Sequence, residues 1–353
     1  MYKVLVINPG STSTELSLFE DEIEVLNTKI VHPVAELRKC ERVIEQFPLR
    51  NNMVKSALSE WGIKTGELSA VVGRSGPPVP ESGVFEVNQQ MVDVVKSEKV
   101  RVEHPAILGC LLAKEVSDEF GIQAFVSYPP PIEWPQIAKV SGIPEIERRL
   151  LYHRQNIDAV AILAANDVKK DLNNVRLVIA HLEGGMSIVA FEGGQVIDTT
   201  SAMDEGPFTM ERSGSLPANS VVELCFSGKY TKQQVLKKIR GEGGMVAFLG
   251  INKISDVEDR IDNGDKKAEF YLKAMCYQIA KEIGAMATVL KGQVDAIVLT
   301  GKILDSKRSV NWIKERVESI AAIITYPEQE SIVFAKAGLS VLRGEEKAKK
   351  YNG

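Results

Sequence analysis

Four short turns in this 353-residue chain carry groups suited to anions. In the first, Asn8-Pro9-Gly10-Ser11-Thr12-Ser13, Gly10 leaves room for close approach of the backbone, and Asn8, Ser11 and Ser13 offer short donors for phosphate oxygens. The second, His181-Leu182-Glu183-Gly184-Gly185-Met186, presents the amides of Gly184 and Gly185 together with an imidazole donor. The third, Thr300-Gly301-Lys302, ends an apolar run and enters a helical one, so a helix start there would favour an anion. In the fourth, Gly73-Arg74-Ser75-Gly76, the planar fork of Arg74 suits a carboxylate or a phosphoryl group. Taken singly these are ordinary glycine turns, but at equivalent points of a repeated unit they point to a nucleotide cleft. Phosphoryl transfer asks a protein mainly to position reactants and neutralise charge, which such groups supply.

The elements that must position these turns repeat along the chain. VLVINPGSTSTELSLFE (4–20) and LVIAHLEGGMSIVAFE (177–192) each read as strand, polar turn and alternating strand. LSAVVGRSG (68–76) is matched by VDAIVLTGK (294–302), and IQAFVSYPPP (122–131) by AAIITYPEQE (321–330), with helical stretches between. The pattern predicts a duplicated α/β fold of two lobes with a central cleft: residues 1–150, joined by a C-terminal helix at 331–353, and residues 151–330. Ligands of parallel α/β sheets lie outside the strand ends, where the four turns fall. Periodicity predicts an amphipathic helix over 35–46 and a buried helix within 144–171, with Ile146, Leu150, Ile157, Val160, Ala161 and Ala164 inward. Residues 243–250 read as a loop and strand entry, and 331–351 as an apolar helix ending in a solvated charged run.

Composition narrows the function classes. The chain is 44% hydrophobic and 25% charged, as expected of a soluble globular protein. A net charge of -4 argues against a general nucleic-acid binder. No apolar stretch has the ~18 residues of a membrane span and no leader precedes the first strand, so a cytoplasmic protein is expected. Cys40, Cys110, Cys225 and Cys276 are scattered, with no CxxC pair, and read as small hydrophobes rather than a zinc site. No GxGxxG follows a strand, which leaves a dehydrogenase a distant reading.

The segments INPGSTST, VEHPAILG, HLEGGMSI, GPFTMERSG, ELCFSGKYT, MCYQIAKEIGAMATVLKGQVDAIVLTG and LRGEEKAKKY together resemble the butyrate kinases of the acetate and butyrate kinase family, nearly end to end. The resemblance implies the actin-like fold of the sugar kinase and heat-shock ATPase superfamily. It implies ATP or ADP, magnesium and a short-chain carboxylate as ligands, and reversible transfer of the γ-phosphoryl group to the carboxylate. By the same resemblance Asn8, Ser11 and Ser13 would meet phosphate or metal, and Arg74 and Arg212 would clamp the carboxylate and the transferring group. His153 would steady the phosphoryl group, His181 would lie near the nucleotide, and Glu330 would be linked to the metal. A homodimer or higher homo-oligomer is implied too. Without the resemblance, His153 reads as an ordinary helix residue and Arg212 as an ion-pair partner of Glu211 or Asp204. His104 reads as a helix-start residue, though it matches a family histidine, and His32 as structural.

Departures from the family pattern cluster at the site. Glu15 stands where the opening motif ends in lysine, and Val126-Ser127-Tyr128-Pro129 replaces a Val-Asp-Pro segment. HLGGG has become His181-Leu182-Glu183-Gly184-Gly185, and TGG has become Thr300-Gly301-Lys302. A carboxylate about 5 Å from one phosphate charge costs roughly 3 kcal/mol at an effective dielectric near 20, so Glu15 and Glu183 facing the cleft would weaken ATP strongly unless Lys302 offsets them. The bland alternative turns Glu15 to solvent. Two readings follow: a working carboxylate kinase with a rearranged site, or a degenerate copy acting as a nucleotide-binding, regulatory or scaffold subunit, pairing with an active paralogue. On the second, Tyr128→Asp with Glu15→Lys is expected to raise turnover.

Overall fold

The computed structural model describes residues 1–10, 12–37, 39–79, 81–97, 104–129, 131–327 and 330–352. Ser11 therefore lies outside the described residues. The chain divides into two compact units, Met1–Pro131 with Glu330–Gly353, and Ile132–Gln329.

The first unit holds a seven-stranded sheet. Its strands are β1 (Lys3–Pro9), β2 (Ser13–Glu20), β3 (Ile23–Val31), β4 (Ala70–Gly73), β5 (Gly83–Glu86), β6 (Gln123–Tyr128) and, from the chain's end, β12 (Lys349–Lys350), in the order β12-β5-β6-β4-β1-β2-β3. The second unit holds β7 (Leu177–Leu182), β8 (Met186–Glu192), β9 (Gln195–Thr199), β10 (Ala296–Thr300) and β11 (Ile323–Tyr326), in the order β11-β10-β7-β8-β9. The core of each sheet repeats the other: β6-β4-β1 and β11-β10-β7 are parallel, and β1-β2-β3 and β7-β8-β9 are antiparallel. Even the irregularity recurs, because the register shifts immediately before Phe19 in one unit and before Phe191 in the other. The duplication expected from the sequence is thus present, residue for residue: Val4 and Leu177 face Phe19 and Phe191, which makes Asn8 the counterpart of His181.

Strand parity decides where those two side chains go. β7 is a central strand buried on both faces, so its residues alternate between two cores. Val178, Ala180 and Leu182 pack with the helix Lys266–Val289, whereas Leu177 and Ile179 pack with the helix Arg154–Asp167. His181 shares the second face. In the first unit Leu5 and Ile7 belong to the core beneath the helices Phe47–Glu60 and Leu108–Phe120. Asn8 faces the other way, toward the side covered by the helix Ser331–Leu342, whose Gly338 approaches Val4 and Val72.

Four local expectations are corrected. Residues 35–46 do not form one helix. Val34–Leu37 and the 3-10 turn Val43–Gln46 are separate, with Glu45 accepting the Glu41 amide at 2.8 Å, and Pro48 opens the long helix Phe47–Glu60. The helix within 144–171 covers only Arg154–Asp167, because Arg148 is tied to Asp198, Glu205 and the Thr199 carbonyl, and Leu151 accepts from the Ala202 amide; Ile146 is exposed. Residues 244–249 are helical, closed by Gly250 at φ +73° as a left-handed cap. The charged tail is not merely solvated either, since Lys349–Lys350 add the edge strand and Tyr351 is buried.

Candidate phosphate and nucleotide sites

Each unit presents a polar cluster at the end of its central strands. In the first, Asn8 lies opposite Glu15 across the β1–β2 pair and is 6% exposed. Its amide nitrogen donates to Glu330 Oε2 at 3.0 Å and to Glu15 Oε2 at 3.4 Å, while its oxygen accepts from Arg74 Nη1 at 2.9 Å. Arg74 also pairs with Glu330 Oε2 at 3.0 Å, both side chains being largely shielded. Glu330 stands just before the helix that packs on β1 and β4, which brings a residue 322 positions away to Asn8. Glu15 accepts further bonds from Asn27 at 3.0 Å and Ser331 at 3.5 Å, so it belongs to the cluster and does not simply point to solvent. His104 caps a 3-10 turn, its Nδ1 accepting from the Ala106 amide at 3.1 Å. Desolvation and then the Arg74 guanidinium lower its pKa, against the pull of Glu330.

The hairpin that carries Gly10 and Ser13 is anchored from below. Gly10 N donates to the Ser13 carbonyl at 2.8 Å, and the fully buried Arg50 donates to that carbonyl at 3.0 Å and to Thr14 Oγ1 at 3.1 Å. His32 Nε2 lies 2.8 Å from the same Thr14 hydroxyl, the structural place expected for it. A Cβ on Gly10 would make only ordinary contacts, so the glycine is not demanded by the fold.

The second unit repeats the arrangement with different side chains. His181 is 1% exposed, and its Nδ1 accepts from Asn156 Nδ2 at 2.7 Å. Asn156 also donates to Thr300 Oγ1 at 3.2 Å, so the helix and the parallel strand are tied to the histidine as Glu330 and Arg74 are tied to Asn8. This bond places the imidazole proton on Nε2, which is buried and has no hydrogen-bond partner among the described residues. Burial, then His153 and Lys302, push the His181 pKa down to about 3, so the ring is neutral. His153 stacks on it at 4.2 Å and holds Ser187 Oγ at 2.8 Å through Nδ1.

Next to these histidines opens a cavity of about 850 Å³ lined by the 182–186 turn, Met210–Arg212, residues 252–255, Glu258, Met275, Lys302 and Ile303. Two glycines at its edges are closely approached. A Cβ on Gly185 would lie 2.6 Å from Arg212 Nη1 and 2.9 Å from its Cζ, so the guanidinium rests directly on the glycine backbone. Gly301 has φ +91°, and a Cβ there would meet the Leu182 carbonyl at 2.8 Å. Thr209 joins the turns, its hydroxyl donating to the Gly184 carbonyl at 2.8 Å and accepting the Arg212 amide at 3.1 Å. Arg212 also donates to the Ala202 carbonyl and pairs with neither Glu211 nor Asp204; Asp204 is taken by Arg149 and Arg240. Burial lowers the Arg212 pKa, with Arg240 adding to the effect.

Two residues that the resemblance marks as departures change meaning here. Glu183 is ion-paired with Lys302, so the two side chains compensate each other in charge. Tyr128 is a packing residue: its ring meets Phe85 edge-on at 5.6 Å, its hydroxyl donates to the Pro77 carbonyl at 2.6 Å, and burial raises its pKa. The turn after Gly301 is a four-residue 3-10 segment, Lys302–Asp305, and not the start of a longer helix. Sequence reasoning missed Asn156, which lies one turn after His153 on the same helix face. It also passed over Asn252, Ile254 and Ser255 of the lining, which follow the segment misread as a loop.

The acetokinase family profile matches residues 142–344. The probable butyrate kinase 2 of Caldanaerobacter subterraneus subsp. tengcongensis is 44% identical over 99% of this chain and 100% of its own. Butyrate kinase 1 of Clostridium acetobutylicum is 41% identical over 99% and 100%. Among solved structures, Porphyromonas gingivalis acetate kinase superposes with a TM-score of 0.73 at 18% identity over 97% of this chain and 100% of that one. A propionate kinase from Francisella tularensis gives 0.69 at 16% over 96% and 99%. These structures carry the duplicated actin-like fold. With its full-length relatives and its matching profile, the chain belongs to the acetokinase family.

Proposed function

We propose that the chain is a butyrate kinase, passing the γ-phosphoryl group of ATP to the carboxylate of butyrate or a branched analogue, reversibly, to give ADP and an acyl phosphate. The observation that carries this reading is His181: a buried, neutral imidazole whose Nε2–H is oriented by Asn156 and has no acceptor within hydrogen-bond distance among the described residues. Such a donor suits a phosphoryl oxygen, and its place beside the cavity-lining residues Leu182 and Glu183 suits a nucleotide phosphate. In this reading His153 steadies and Arg212 neutralises the transferring group, Gly184, Gly185 and Gly301 let it approach the turns, and Arg74 holds the acid's carboxylate. Asn8, Gly10, Ser11 and Ser13 form the second phosphate-binding turn. Magnesium enters with ATP as part of the substrate. Glu330 and Asn8 supply hard oxygen ligands of the kind that complete its shell when phosphates provide the rest.

The degenerate alternative loses its main support once Glu183 is neutralised by Lys302 and Tyr128 is accounted for by packing. Trapping acyl phosphate as hydroxamate, with MgATP and a panel of C2 to C6 acids, tests the reading. Turnover peaking at four-carbon acids is expected; no hydroxamate with any acid would refute it.

A further inference from the structure

The Glu183 carboxylate lies where an anion would. One oxygen pairs with Lys302 Nζ, and the other lies 3.7 Å from His181 Nε2. An ammonium and a buried imidazole N–H are the two kinds of donor a phosphate oxygen would seek here. Glu183 is 22% exposed, whereas Lys302 is 61% exposed and able to turn toward solvent or a ligand. Both line the 850 Å³ cavity, and the turns that carry them touch through Gly301 and Leu182.

On the butyrate kinase reading, we propose that Glu183 is an intramolecular competitor for the nucleotide phosphates. It holds Lys302 and faces His181 until a phosphate displaces it, and so sets nucleotide affinity in this chain. Binding then requires the Glu183–Lys302 pair to open as Lys302 turns to the phosphate.

The test is a double-mutant cycle on MgADP affinity, read by calorimetry on the full chain with Glu183→Gln, Lys302→Gln and the pair. Glu183→Gln is expected to bind MgADP about fivefold more tightly, equivalent to ~1 kcal/mol for a partly exposed pair. Lys302→Gln is expected to weaken binding more in the Glu183→Gln background than in the wild type, because only the wild type must break the pair. Glu183→Ser serves as a second substitution, with thermal melts to establish that each variant is folded. Unchanged or weaker binding by Glu183→Gln, or strictly additive effects, would overturn the proposal, as would absence of MgADP binding by all four proteins. The calorimetric cycle needs no turnover. Hydroxamate formation without coupling would therefore sink the competitor role alone, and coupling without hydroxamate would sink the kinase reading alone.

Discussion

Replacing Gly185 by alanine isolates the role of Arg212 from the stability of the fold. Gly185 does not have a left-handed φ, so an alanine backbone is unstrained there. Its Cβ would lie 2.6, 2.9 and 3.0 Å from Nη1, Cζ and Nη2 of Arg212. Ordinary contact begins near 3.4 Å, so the guanidinium must retreat by roughly 0.8 Å, the difference between 3.4 and 2.6. A displacement near 1 Å of a group that positions or neutralises a transferring phosphoryl costs on the order of 100-fold in rate. The folded state should lose only about 1 kcal/mol, because the clash is with the end of a side chain and not with backbone. Coupled assay of kcat and KM for MgATP and butyrate, with a denaturant midpoint in parallel, separates the two. A kcat within about threefold of wild type would refute the argument that Arg212 acts from its seat on Gly185. Gly301→Ala is the contrasting control, since φ +91° and the Leu182 carbonyl at 2.8 Å make that substitution a cost to folding.

Acid stability should report the buried histidines. The pKa of His32 is lowered to about 4 and that of His181 to about 3, burial being the main cause, from an ordinary 6.5. Below that ordinary value the unfolded chain takes up protons that the folded chain does not, so their contribution is complete above it and falls toward pH 4 and 3. The limiting loss is about 1.4 kcal/mol per pH unit for each histidine. His32→Gln should therefore flatten the stability curve between about pH 6 and 4 by roughly 1 kcal/mol per unit; parallel curves would count against it. Tyr128→Phe should cost about 1 kcal/mol through the lost bond to Pro77. Tyr128→Asp should cost about 3 kcal/mol or more, with or without Glu15→Lys, by leaving the Phe85 contact empty and burying a carboxylate. Placing an acidic side chain at this position is thus expected to lower stability and not to raise turnover. A denaturant midpoint equal to wild type would contradict the packing role.

Much of the site could be read in the amino-acid order because the chain repeats itself. Matching 4–20 with 177–192 and 68–76 with 294–302 already aligns Asn8 with His181 and Arg74 with Thr300, and the strand registers keep that alignment. Apolar runs such as VLVI and LVIA identify strands buried on both faces, and alternation then assigns each residue a side. Helix limits were harder to read. Residues 144–153 have helical spacing, but Arg148 gains more from Asp198 and Glu205 than a first helical turn would supply. At 243–250, three glycines hid a short helix.

By itself the sequence determined the family, the duplication, the strand order's building blocks and the turns that carry the polar groups. Those follow from local patterns and from residue types at fixed spacing. Only the tertiary structure decided which charges are compensated and which donors are left over. Glu183 meets Lys302 across two turns 119 residues apart, Glu330 reaches Asn8 across 322, and Asn156 sets the proton on His181. Electrostatic energy depends on distance and burial, and neither is a property of position along the chain until the sheets and their covering helices have formed.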